Sequence, residues 1–166
     1  MSEYINEGAS GIVSLYDDNY VIKKIKKNAK TMTIIQQYEM HLKVYNILSN
    51  KEKYKILFTP KPIEVKNNYY VMDKINDSYM LNNNDFDSNI TKEIKNFYVD
   101  MKNLNIFPFD YELFLQEDNR VALIDFDKFG KYYDDTFDTV IFHFSKEIKL
   151  KKNLLNYHNI PIGMKF

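Results

Sequence analysis

Three groups of residues along this chain could combine into one reactive or binding centre: a glycine-bearing turn, a strand lysine and a set of carboxylates. The turn is Asn6-Glu7-Gly8-Ala9-Ser10-Gly11-Ile12-Val13. Glycine has no Cβ, so backbone N–H groups there can come close to phosphate oxygens. The branched Val13 that follows suits the cover of a flat base. The same residues also make a plain hairpin turn. Lys23 lies in Tyr20-Val21-Ile22-Lys23-Lys24-Ile25, where alternation puts it on one face with Val21. An inward lysine needs an anion or an acidic partner, because an unpaired buried ammonium is costly. Glu39, on the helix that follows, is available to pair with it. A solvent-facing lysine is the other reading in a chain this rich in lysine.

The carboxylates are Asp110, Glu112, Asp125 and Asp127, near the ends of one predicted hairpin. Asp125 directly follows the apolar run Val121-Ala122-Leu123-Ile124. That placement is too inward for a solvated side chain and fits a metal ligand. Glu112 is also a good ligand for a hard cation. Asp127 lies on the same alternating face, beyond the strand end, and whether it joins the metal site is left open. An ordinary acidic rim around a turn would carry the same residues.

The scaffold for these groups is legible in outline. Residues 4–25 read as three short strands, joined by the glycine turn and by Asp17-Asp18-Asn19. A helix is predicted from about Thr33 to Ser49, with Ile35, Tyr38, Leu42, Tyr45 and Leu48 at helical spacing. The stretch from Lys53 to Val65 follows, with Pro60 and Pro62 bracketing Lys61, and Asn68 to Ile75 forms another strand. Five strands and one helix thus occupy the first 75 residues. The Asn/Asp-rich segment 76–89 reads as a connector. A second helix carries Ile90, Ile94, Phe97, Met101 and Leu104 on one face and stops before Pro108. A hairpin follows over residues 113–126, then a helix starting near Thr136. The order is α+β, not alternating βαβ units.

Bulk composition narrows the function classes. With 45% hydrophobic residues the chain can bury a core. Its 23 basic and 23 acidic residues balance, and Arg120 is the single arginine. Nucleic-acid binders need a net basic footprint, so no nucleic-acid partner is expected. There are no cysteines, which excludes disulfides, thiolate chemistry and zinc-thiolate sites. No apolar run reaches the length of a membrane span, and the N-terminus lacks a signal-peptide profile. The expectation is an intracellular, cytoplasmic protein with no membrane partner.

Taken in order, these segments resemble the protein kinase family over nearly the whole chain. Gly8-Ala9-Ser10-Gly11-Ile12-Val13 resembles the end of the Gly-rich loop, with Asn6 where its first glycine would be. Val21-Ile22-Lys23-Lys24-Ile25 resembles the strand of the phosphate-binding lysine, and Tyr38-Glu39-Met40-His41-Leu42 the helix with its ion-pair glutamate. Tyr70-Val71-Met72-Asp73-Lys74-Ile75 resembles the strand leading to the hinge. Leu123-Ile124-Asp125-Phe126-Asp127 resembles the segment with the metal-binding Asp. The resemblance implies a single two-lobe domain over 1–166. Its N-lobe, about 1–75, would hold a five-stranded sheet plus one helix, and its C-lobe, about 76–166, would be truncated and mainly helical. It implies ATP and Mg²⁺ as cofactors, with Asp110 and Lys23 catalytic and Asp125 and Glu112 holding the metal. Gly8, Gly11, Val13, Val21, Lys23, Glu39, Met72, Asp73 and Phe114 would bind the nucleotide. Asp138 resembles the helix-N-terminal Asp that ties down the catalytic loop, and equally suits a helix N-cap.

The chain departs from the family at the catalytic loop. Phe107-Pro108-Phe109-Asp110-Tyr111-Glu112-Leu113-Phe114 stands there, with Pro108 and Phe109 in place of the His and Arg. There is room for both Asp110 and Glu112 only if the loop has lost three residues. Asp127 replaces a glycine, as it also does in kinase-like small-molecule kinases. Two functions follow as expectations. The first is a minimal ATP/Mg-dependent protein-kinase-like phosphotransferase with a Ser/Thr-type acceptor. The second is a catalytically impaired pseudokinase, a nucleotide-binding or kinase-regulating interaction module. Its partners would be a nucleotide and either a protein substrate or a partner kinase.

Overall fold

The computed structural model describes residues 4–8, 11–75, 78–81, 86–108 and 111–131. Asp110, Asp138 and the helix predicted near Thr136 lie outside the described residues. The architecture is mixed α+β, with two helices and mainly antiparallel sheets among those residues. Strands β1 (Tyr4–Glu7), β2 (Gly11–Leu15), β3 (Tyr20–Ile25), β5 (Pro62–Val65) and β6 (Tyr69–Asp73) form one five-stranded sheet in the order β1-β2-β3-β6-β5. Between β3 and β5 come helix α1 (Ile34–Leu48) and the short β4 (Leu57–Phe58). Helix α2 (Ser88–Asn103) opens the second half. It is followed by β8 (Ile106–Phe107), β9 (Glu112–Gln116), β10 (Val121–Ile124) and β11 (Gly130–Lys131).

The predicted hairpin is β9–β10, with Leu113 opposite Leu123 and Glu112 opposite Ile124. Two features escape local pattern reading. The segment 76–89, expected as a connector, contains β7 (Ser78–Met80), which pairs with the edge of β9. β4, from the first half of the chain, pairs in parallel with β10. Both are two- or three-residue strands that exist because a distant strand offers backbone partners, and no alternation of that length can announce them.

Helix α1 starts on a capping box. The Thr33 hydroxyl accepts the Gln36 N–H at 3.2 Å, while the Gln36 Oε1 accepts the Thr33 N–H at 2.9 Å. Its buried face is Ile34, Gln37, His41, Val44 and Leu48. Of the face expected from hydrophobicity only Leu48 is buried; Tyr38 and Tyr45 are half-buried, and Ile35 and Leu42 are 50% and 38% exposed. The buried stripe contains two polar residues, so hydrophobicity alone picks the wrong side. Both find partners: Gln37 Nε2 donates to the Met32 carbonyl at 3.2 Å, and His41 Nε2 shares a hydrogen bond of 3.0 Å with the Thr59 hydroxyl. For α2 the expected face holds, since Ile90, Ile94, Phe97 and Met101 are buried, while Leu104 caps the helix and is exposed.

The main core gathers α2, the β9–β10 hairpin and the inner end of α1, around Phe97, Tyr98, Leu123, Phe126 and Val44. One buried charge anchors it. Glu93, on α2, accepts the N–H groups of Lys55 at 2.9 Å, Ile56 at 3.0 Å and Leu57 at 2.7 Å. Three successive backbone donors entering β4 are thereby satisfied by one carboxylate. Replacing Glu93 with Ala strands these donors in a buried place. The expected loss is about 3 kcal/mol of unfolding free energy in urea titration, against less than about 0.5 kcal/mol for the exposed Glu39→Ala.

Candidate functional site

Lys23 sits in the middle of the first sheet, with Val13 of β2 on one side and Tyr70 of β6 on the other. It is 7% exposed. Its Nζ donates to Asp125 Oδ1 at 2.7 Å, which joins the two sheets through one ion pair. Desolvation works against the charge on Lys23. Tyr70, Asp125 and Asp127 more than offset it and hold the ammonium above its ordinary value. Burial pushes the Tyr70 phenol up as well, so near neutral pH the Asp125 carboxylate is the stabilising charge.

Asp125 follows the last residue of β10 with φ at 70°. Left-handed backbone is uncommon for residues other than glycine, though Asp tolerates it better than most. The turn it makes sends Phe126 into the core, where it packs on His41 at 4.8 Å between ring centres and on Phe129 at 5.2 Å. It also brings Asp127, 4% exposed, back beside Asp125. Burial raises Asp125 above the usual carboxylate range, and the neighbouring Asp127 adds to this against the opposing pull of Lys23. The Thr31 hydroxyl donates to Asp127 Oδ2 at 3.1 Å. Gln37 Nε2 lies 3.4 Å from the same hydroxyl, so the start of α1 is linked to the carboxylates.

One cleft of about 80 Å³ collects most of the residues expected from the sequence. Gly8, Gly11, Val13, Lys23, Met72, Glu112 and Asp125 all line it, with His41, Tyr70, Ile124 and Phe126. The glycine at position 11 has a local reason. A Cβ there would stand 3.2 Å from Lys23 Cε and 3.1 Å from the Lys24 carbonyl, closer than ordinary contact.

Four expected residues are placed elsewhere. Glu39 is exposed and does not hold Lys23. The helical period that buries Gln37 and His41 points a residue midway between them outward. Val21 is buried in the apolar cluster with Ile34, Tyr70 and Met72. Phe114 is half-buried in the second sheet, opposite Met80 and Ala122. Asp73 lines a separate groove beside Lys61. Sequence reasoning missed His41, whose signal was its i, i+4 spacing from Gln37 within the Ile34–Val44–Leu48 stripe.

Among the described residues no three potential ligands form a ready-made metal group. Asp125, Asp127 and Glu112 do put carboxylates on or beside one cleft. Mg²⁺ is usually held by one or two carboxylates together with phosphates and water, so this set fits Mg²⁺ arriving with a phosphate ligand.

No family model matches the chain, and no curated protein matches it. Among solved structures, that of the streptomycin-ATP-APH(2")-IIa ternary complex is similar at a TM-score of 0.49 and 13% identity, covering 91% of this chain and 76% of that one. So remote a likeness assigns no function.

His41 supplies a pH test of this packing. Burial above all, helped by the Lys23 charge and opposed by the Pro60 backbone, lowers its imidazole to about 3. Thr59, Tyr70 and Phe126 complete its surroundings and carry no charge near neutral pH. Unfolded His takes up a proton near pH 6.5 and the folded one does not. Stability therefore falls as pH drops from 6.5 toward 3, by roughly 1 kcal/mol per unit. Urea midpoints across that range are expected to show this slope for the wild type and to lose it in His41→Met, leaving only the carboxylate contribution at the acid end.

Proposed function

We propose that the chain is a reduced protein-kinase-like domain that binds ATP with Mg²⁺ and transfers a phosphoryl group, with a Ser/Thr-type hydroxyl as acceptor. The observation that carries this reading is the convergence of the glycine turn, Lys23, Met72, Glu112 and Asp125 on one cleft, with Lys23 and Asp125 in contact at 2.7 Å. These residues come from four strands and two turns spread over more than a hundred positions. A solvated lysine or an acidic rim would not need to meet there.

On this reading Lys23 binds phosphate oxygens and the backbone at Gly8 and Gly11 lies against them. Val13 and Met72 cover the base. Asp125, with Glu112 or Asp127, holds Mg²⁺, which when bound neutralises phosphate charge. Asp110 orients the acceptor hydroxyl, a role taken from the resemblance alone. The work of the protein is positioning and electrostatics. Val21, Phe114 and Asp73 lie outside the cleft, and Glu39 is replaced as partner of Lys23 by Asp125.

A second reading, a catalytically impaired pseudokinase acting as an interaction module, is favoured by one specific observation. The Lys23–Asp125 pair closes on itself, and the cleft of about 80 Å³ is far below the several hundred typical of small-molecule sites. Nucleotide must part the pair and lift the glycine turn.

Thermal shift with ATP, with and without Mg²⁺, separates the readings when combined with a phosphate-transfer assay. At a hundredfold excess over Kd, bound nucleotide adds about 2.7 kcal/mol of stability, roughly 5–10 °C for a chain of this size. The expected result is that shift in the wild type, with transfer lost in both Lys23→Ala and Asp125→Asn. A shift without transfer supports the pseudokinase. No shift at any nucleotide concentration ends the first reading and leaves the second only as an interaction module that binds no nucleotide.

A further inference from the structure

We propose a second binding site, for a small organic polyanion with at least two phosphate groups, in the groove behind the β6 end. At about 330 Å³ this groove is larger than the Lys23 cleft and within the range of small-molecule sites. It does not include Lys23 or Asp125. Lys51, Lys61, Lys74 and Arg120 line it, against the single carboxylate of Asp73.

Two of the four cations stand on rigid bases. Lys61 is held between Pro60 and Pro62, whose rings fix φ on both sides. Its own backbone is tied to Asp73: the Asp73 N–H donates to the Lys61 carbonyl at 3.0 Å, and the Lys61 N–H to Asp73 Oδ2 at 3.3 Å. The one lining carboxylate is therefore turned toward backbone. Arg120, the single arginine of the chain, donates from Nε to Asp118 Oδ2 at 2.7 Å. Its guanidinium lies over the Phe58 ring, 4.5 Å from the centre. The remaining guanidinium donors are held in a fixed plane, the geometry that suits phosphate. Lys51 and Lys74 are exposed and can adjust to a second anionic group.

Inorganic tripolyphosphate is the probe, titrated calorimetrically into the wild type at low and moderate salt. Lys61→Gln/Arg120→Gln is the test variant, and Lys27→Gln/Lys43→Gln, at exposed positions away from the groove, removes the same charge. All four changes are on the surface, and thermal midpoints check that the variants fold. Binding weakened about tenfold or more in the test variant, and unchanged in the control, supports the site. Equal binding in all three proteins, equal weakening in both variants, or loss only in Lys23→Ala overturns it. So does binding of an Asp/Glu-rich peptide with none of tripolyphosphate.

Discussion

Lys23 enters from the centre of one sheet and Asp125 from the end of another, so their 2.7 Å contact joins the two sheets electrically. Neither group could be there alone. An isolated buried ammonium would lose its solvation with nothing in return, and an isolated carboxylate likewise. Such a pair adds little net stability over apolar residues of the same shape, yet removing one member costs a good deal. On the proposed reading its place beside a glycine turn serves ligand binding more than stability.

Why Asp125 takes this place follows from α1. The helix presents Gln37 and His41 to the interior, an amide and a neutral imidazole, while Glu39 faces water. The inner face of α1 therefore offers no negative charge to Lys23. The nearest carboxylates are those that the left-handed turn at Asp125 folds back, and Thr31, just before α1, donates its hydroxyl to Asp127. The rotation of one helix thus decides which acid the lysine binds, and with it how closed the cleft is.

The sequence carried the parts of this arrangement that depend on local period. Alternation put Lys23 on one face with Val21, one of two readings open for it, the apolar run before Asp125 marked it as an inward acid, and the β9–β10 hairpin was readable from its turn. It misled where polar residues lie inside. Gln37 and His41 hid the true face of α1, because their burial depends on Met32, Thr31 and Thr59, partners that only the folded chain supplies. It read β7 as part of a connector and gave no sign of the parallel partner of β4, because both strands pair with distant ones. Asp73 illustrates a third kind of miss. A residue on the right strand, one step past Met72, alternates to the other side of the sheet and into a different groove.

Charge balance bears on how the cleft can open. Burial, and the charge of Asp127 beside it, push the Asp125 carboxyl above the usual carboxylate range. Glu112 lines the same cleft, and among the described residues Lys23 is its only lining lysine or arginine. A polyphosphate alone would draw Lys23 away from Asp125 and leave uncompensated acid groups facing the phosphates. A divalent cation arriving with the polyphosphate would offset the charge of both the acid groups and the phosphates. On the proposed reading, nucleotide and cation therefore bind together or hardly at all, and the closed ion pair is the resting state of a site that neither ligand opens by itself.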